Sequence, residues 1–175
     1  MGADKATIEI GGELLVSRVI RALSVVDEVR IVGGDAGTFQ HMGAGWCADS
    51  YPGEGPLGAL VSGFHCTEHD VVVACACDLA NLTSSSVDAL LYERRRSDAA
   101  VAVPLIRGRL QWHVAAWHRR ALPTLERAFD AGERSLHRTA RALDLVAIVL
   151  SHGDEFLDID TPDDLRRLFP SELAR

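Results

Sequence analysis

The sequence has no apolar run approaching the ~20 residues that a bilayer-spanning helix needs. Its most apolar stretch, Val71-Val-Val-Ala-Cys-Ala-Cys77, is bounded by Asp70 and Asp78. The N-terminus, Met1-Gly-Ala-Asp-Lys5, lacks the basic start and apolar stretch of a signal peptide. Basic charge is not in excess either. A net charge of −7 argues against a chain whose main task is to wrap nucleic acid. The four cysteines, Cys47, Cys66, Cys75 and Cys77, contain no Cys-x-x-Cys pair and no histidine partners spaced for zinc. They are expected to be buried, reduced thiols of a cytoplasmic protein. Repeats, low-complexity tracts and Pro/Ser linkers are also missing, so residues 1–175 are read as a single domain. A small anionic substrate survives these exclusions, because backbone N–H groups, a lysine or a metal can hold one.

What is present alternates between two periods. Leu14, Leu15, Val19, Ile20, Leu23 and Val26 form one helical stripe, followed by the β-branched run Val29–Val32 and then Gly33-Gly34. Helices are expected over Pro56–Cys66, Ser84–Arg95, Arg119–Ala131, Ser135–Leu143 and Thr161–Phe169. Strands are expected over Val71–Ala76, Ala99–Leu105, Gln111–Trp117 and Val146–Leu150. Strands separated by helices predict a Rossmann-like, three-layer α/β/α fold with a mostly parallel sheet. In such folds ligands gather beyond the carboxyl ends of the strands, which directs attention there.

Four segments at such positions carry chemically useful residues. Asp78 directly follows the Val71–Ala76 strand and suits either a Mg²⁺ ligand or a cap for the next turn. In Phe156-Leu-Asp-Ile-Asp-Thr-Pro-Asp-Asp-Leu165, Thr161 and Pro162 fit a helix start, whereas Asp158 and Asp160 share one face of an extended stretch. Two carboxylates on one face call for a cation or a donor between them. The loop Asp49-Ser-Tyr-Pro-Gly-Glu-Gly-Pro-Leu-Gly58 brings glycines and a helix start with free N–H groups. Lys5 places a cation just before an apolar segment. Trp46, Trp112 and Trp117 read as packing residues, Arg94-Arg95-Arg96 as a solvated helix end, and His113 and His118 receive no catalytic role.

In this order, Met1-Gly-Ala-Asp-Lys-Ala6, Gly55-Pro-Leu-Gly58, Cys77-Asp78, Ala131-Gly-Glu-Arg-Ser-Leu136 and Asp160-Thr-Pro-Asp-Asp-Leu165 resemble the molybdenum cofactor guanylyltransferase family. The resemblance implies a GT-A type nucleotidyltransferase fold and transfer of GMP from Mg-GTP to molybdopterin, releasing pyrophosphate. It implies that Lys5 and Asp78 are catalytic, and that Mg²⁺ is held by Asp78 and Asp160. By the same resemblance Lys5, Gly33, Asp49, Gly55, Pro56, Leu57, Gly58 and Asp78 contact the nucleotide, with Gly132, Glu133 and Arg134 on the molybdopterin side. GTP and molybdopterin are the implied partners, together with cofactor-biosynthesis or acceptor proteins.

The chain also departs from the family pattern. Ala80 replaces a proline, Gln111-Trp112 replaces Gln-Pro, and Gly33 stands where a nucleoside-contacting Asn is common. Asp158-Ile-Asp160 is closer to cytidylyltransferase relatives, which keeps a CTP-dependent reaction open. Relative to the family, the chain begins after the usual first strand and its Leu-Ala-Gly-Gly-x-Ser-x-Arg loop. An N-terminally shortened domain is therefore expected, and a catalytically silent nucleotide- or partner-binding protein is the alternative of another class.

Overall fold

The computed structural model describes residues 5–39, 41–150 and 154–156, together with Asp164, Arg166, Leu168 and Phe169. A 3₁₀ turn at Lys5–Thr7 leads into a small hairpin, β1 (Glu9–Ile10) and β2 (Glu13–Leu14), closed by Gly11 and Gly12. Helix α1 (Leu15–Ala22) follows, then β3 (Arg30–Val32), α2 (Ala36–Phe39) and β4 (Gly45–Cys47). Next come α3 (Pro56–His65), β5 (Val71–Cys75) and α4 (Ser84–Ser97). The rest is β6 (Val101–Ile106), β7 (Arg109–Leu110), β8 (Val114–His118), α5 (Leu122–Asp130), α6 (Leu136–Thr139) and β9 (Leu145–Val149). The expected closing helix, Thr161–Phe169, falls largely outside the described residues.

Local chemistry sets these boundaries. Helix α3 starts at Pro56, whose fixed φ suits the first helical position, after Gly55 at a φ of 85°. Thr83 caps α4 by accepting the Ser86 N–H. That helix ends at Asp98, which takes the left-handed conformation. Between β6 and β7, Arg107 and Gly108 both have positive φ, as a tight hairpin turn requires.

The sheet is mixed. β6 pairs in parallel with β9 but antiparallel with β7 and β8, and β8 pairs antiparallel with β5. β5, β6 and β9 therefore run one way, while β7 and β8 run back between them. The connections from β6 to β7 and on to β8 are too short for a parallel crossover, which takes a dozen or more residues. A separate parallel pair, β3–β4, stands apart from the five-stranded sheet.

The α/β/α layering follows from a period of two along the central strands. Val101, Val103, Ala115 and Trp117 face a core completed by α3 and α5 through Leu57, Phe64 and Leu125. Ala102, Val114 and Ala116 face the opposite core, closed by Val19 of α1 and Leu90 of α4. β5 supplies Val72 and Ala74 to the first core and Val73 and Cys75 to the second. It is covered on both faces, as its uninterrupted apolar run requires.

The cysteines depart from expectation. Cys47, at the end of β4, and Cys66, the C-cap of α3, form a disulfide with their α-carbons 6.2 Å apart. Cys75 and Cys77 keep reduced thiols. The strand at Gly45–Cys47, which the sequence does not announce, brings Cys47 to α3. Among the described residues, no helix is long and apolar enough to cross a membrane.

Candidate active site

The Lys5 ammonium stands 3.1 Å from Oδ2 of Asp78, a pair that joins the first described turn to the segment leaving β5. Lys5 is the only lysine in the sequence. Its side chain is one-third exposed, whereas Asp78 is 8% exposed. The other carboxylate oxygen of Asp78, Oδ1, is buried and accepts no hydrogen bond among the described residues. An oxygen left in that state is costly unless a cation or donor completes it. Mg²⁺ takes one or two carboxylates and fills its remaining positions with water and phosphate oxygens, so this donor fits. Asp158 and Asp160 lie outside the described residues, and no cluster of three or more His, Cys, Asp or Glu side chains is assembled among the described ones.

A second group forms where β3, β4 and α3 meet. Gly33 has a φ of 79° and donates its N–H to the Cys47 carbonyl. A β-carbon there would lie 3.3 Å from that of Asp49, so the structure brings these two residues together. Oδ1 of Asp49 accepts from the Tyr51 N–H and the Ser62 hydroxyl, each at 2.9 Å. That oxygen shapes the loop, and Oδ2 is the one turned toward Gly33. Trp46, read from sequence as packing, is 39% exposed and donates its indole N–H to the Gly33 carbonyl. Its strand, Gly45–Cys47, is too short to leave a period in the sequence.

The Gly55–Gly58 loop divides its labour. No side chain caps α3, so N–H groups of its first turn remain available at the cleft. Leu57 is different: its side chain is fully buried in the core, and only its backbone can serve a ligand. Gly58 is required by packing, since a β-carbon there would meet Phe129 and Tyr51 at 3.0 Å each.

The Gly132–Arg134 turn lies against this loop, with the Arg134 carbonyl near Gly55. Arg134 stacks on the Phe129 ring at 4.0 Å and pairs with Glu54 at 2.6 Å. Glu133 is spent internally. Arg138 grips its carboxylate, the Ser135 and Arg134 N–H groups add to the hold, and together they bring its pKa down to about 2. Arg134 is thus itself held by Glu54, while Glu133 fixes the turn that presents it. Cys77, Pro56 and Ser135, chain neighbours of Asp78, Gly55 and Arg134, line one cavity. A cation, a buried carboxylate and helix N–H groups are together suited to a polyphosphate held with a divalent metal.

Residues 1–147 match the MobA-like NTP transferase domain. The chain belongs to that family. It is a nucleotidyltransferase by that membership, and the fold agrees. Over 177 residues it is 29% identical to a probable molybdenum cofactor guanylyltransferase of Chloroflexus aggregans, covering 94% of this chain and 85% of the relative. It is 28% identical to the molybdenum cofactor guanylyltransferase of Pseudomonas putida, over 78% of this chain and 73% of that one. Among solved structures, the Archaeoglobus fulgidus molybdopterin-guanine dinucleotide biosynthesis protein A superposes with a TM-score of 0.82 at 20% identity, covering 97% and 90% of the two chains. A Thermus thermophilus 2-C-methyl-D-erythritol 4-phosphate cytidylyltransferase superposes at 0.78 with 15% identity over 95% and 92%. Both likenesses speak for the fold.

Proposed function

We propose that this protein transfers GMP from GTP to molybdopterin, giving the guanine dinucleotide form of the cofactor and pyrophosphate. The observation that carries the proposal is the Lys5–Asp78 pair, with its unpartnered buried carboxylate oxygen at the carboxyl end of β5. The relatives' names supply the substrates.

A terminal phosphate oxygen of the pterin attacks the α-phosphorus of the nucleotide, and the bond to the β-phosphate oxygen breaks. Such a displacement depends on positioning and charge neutralisation more than on a protein base. Lys5 neutralises the triphosphate, and the first-turn N–H groups of α3 supply further donors. Asp78, with Asp160, would hold Mg²⁺, which when bound lowers the negative charge carried by the phosphates. Gly33, with no side chain, opens the nucleoside side beside Asp49, and the exposed Trp46 offers a stacking face there. Arg134 lies on the acceptor side, where a guanidinium suits a phosphate.

The test is a transfer assay with molybdopterin, Mg²⁺ and either GTP or CTP, run on the wild type and on Asp78→Asn. Guanine dinucleotide product that disappears in the variant supports the reading. Product from CTP alone moves the base assignment to cytosine, and binding without turnover of either nucleotide sinks the enzymatic reading.

A further inference from the structure

One face of α3 holds the segment that follows β4. Gly58, Ser62 and the C-cap Cys66 recur every fourth residue, so they stack along that face. Each grips the segment in its own way. A β-carbon on Gly58 would meet that of Tyr51 at 3.0 Å, which sets how closely the chain approaches. The Ser62 hydroxyl donates to Oδ1 of Asp49 at 2.9 Å and accepts the Ser50 N–H at 3.0 Å. Cys66 is bonded covalently to Cys47.

Asp49 sits between two anchors. Downstream, the Tyr51 ring packs on Phe129 at 4.4 Å between centroids, and Glu54 pairs with Arg134. Upstream, Cys47 carries the disulfide, and its carbonyl accepts the Gly33 N–H at 2.8 Å. β4 adds little hold of its own. It is three residues long and, among the described residues, pairs only with β3. The covalent link is the firm upstream anchor, and both Gly33 and Asp49, the residues placed on the nucleoside side, adjoin it.

The two sulfurs differ in access. Cys47 is 4% exposed, whereas Cys66 is partly exposed at the end of α3. An entering thiolate meets Cys66 first. The surroundings also accommodate the opened pair. Sγ of Cys47 lies 3.4 Å from the Ala48 carbonyl oxygen and 3.8 Å from that of Ser62. A thiol formed there has acceptors in place, so reduction leaves no buried donor unmet.

We propose that Cys47–Cys66 is a thiol-exchange site, at which a dithiol reductant frees the Asp49 segment from α3 and so lowers nucleotide affinity. The coupling to affinity rests on the nucleotide-binding reading given above. In the first step a thiolate of the reductant bonds to Sγ of Cys66 and the Cys47–Cys66 bond breaks. Cys47 leaves as a thiolate and takes a proton from water. The second thiol of the reductant then displaces Cys66, and its proton passes to that sulfur. The reductant has given two electrons and ends as a disulfide, and the protein holds two thiols.

The experiment compares one preparation oxidised, reduced with dithiothreitol, and reoxidised, with alkylation and peptide masses identifying the thiols released. On reduction, amide exchange at Asp49, Ser50 and Tyr51 should quicken by about tenfold or more, while the amides of α4 and β6 stay unchanged. The affinity for Mg-GTP, read by calorimetry, should fall by about tenfold, and the KM for GTP should rise with kcat little altered. Reoxidation should restore each value. Cys47→Ala/Cys66→Ala should match the reduced protein and ignore dithiothreitol. Equal exchange at Asp49, Ser50 and Tyr51 in the two states would overturn the proposal. A reduced chain that has lost its fold at the assay temperature would also overturn it, making the disulfide a structural staple. GTP bound equally well in both states sinks the switch and leaves the nucleotide reading intact. An oxidised protein that binds no nucleotide sinks that reading, and the switch with it.

Discussion

Gly33 and Asp49 abut across β3 and β4, so that a β-carbon on Gly33 would stand 3.3 Å from the Asp49 β-carbon. Gly33 also has a φ of 79°, a conformation that costs an L-residue roughly 1–2 kcal/mol. Gly33→Val should therefore lower the melting temperature and push Asp49 from its bond with Ser62. GTP affinity, measured by calorimetry, should fall more than tenfold. A variant that melts earlier but binds GTP normally would remove Gly33 from the nucleoside side.

Lys5 is the sole lysine, so an amine reagent can modify only it and the N-terminus. Mg-GTP should protect Lys5 from labelling, as read by mass spectrometry of the modified peptide. Lys5→Met should lower turnover about a hundredfold, the usual scale for losing one donor to developing charge. Lys5→Arg should recover part of it.

Glu133 carries a pH signature. Its pKa is about 2 in the folded protein against an ordinary 4.5, with Arg138 the largest cause. A folded-state pKa below the unfolded value stabilises fully above the unfolded value, and the contribution is lost as pH falls through the folded one. The melting temperature of Glu133→Gln should therefore lie below wild type at pH 7. The gap should close progressively between about pH 4.5 and pH 2. A gap that stays constant with pH would mean that the hydrogen-bond geometry, not the charge, holds the turn.

The Cys47–Cys66 disulfide closes a loop of sequence separation 19 that contains Asp49 and the start of α3. Chain-entropy arguments give about 3 kcal/mol for a loop of this size. A reductant should lower the melting temperature of the wild type and leave the Cys47→Ala/Cys66→Ala protein unmoved. Burial pushes the Cys75 thiol up to about 12, so Cys75 should resist alkylation at pH 8 until the protein unfolds.

Trp46 should report nucleotide directly. Its exposed ring beside Gly33 predicts that GTP changes tryptophan emission and that Trp46→Phe loses most of the change. A lost stacking contact costs about 1–3 kcal/mol of affinity. An unchanged affinity would return Trp46 to a purely structural role.

Much of the fold was legible because burial writes a period into the chain. The continuous apolar run of β5 and the helical stripe of α1 follow from which faces are covered. Pro56 punctuates them by fitting the first helical position of α3. The site was legible in part for a related reason: Asp78 and the Gly55–Gly58 loop fall where strands end and helices begin. The three-residue strand Gly45–Cys47 was not legible, and neither was the partner it finds for Cys66, because pairing between distant segments leaves no local period.

The alternation of the main strands and helices from α3 to β9 was determined by the sequence itself, through local propensity and spacing. Tertiary structure alone decided four things. β7 and β8 run against their neighbours, and Glu133 is consumed by Arg138. Leu57 faces the core rather than the cleft, and β3 and β5 both contribute to the lining of one cavity. Each depends on which distant surfaces meet, and chain spacing does not encode that meeting. The absence of a long apolar run, which set aside a membrane span at the outset, says nothing of a largely apolar cavity whose lining comes from segments far apart in the chain.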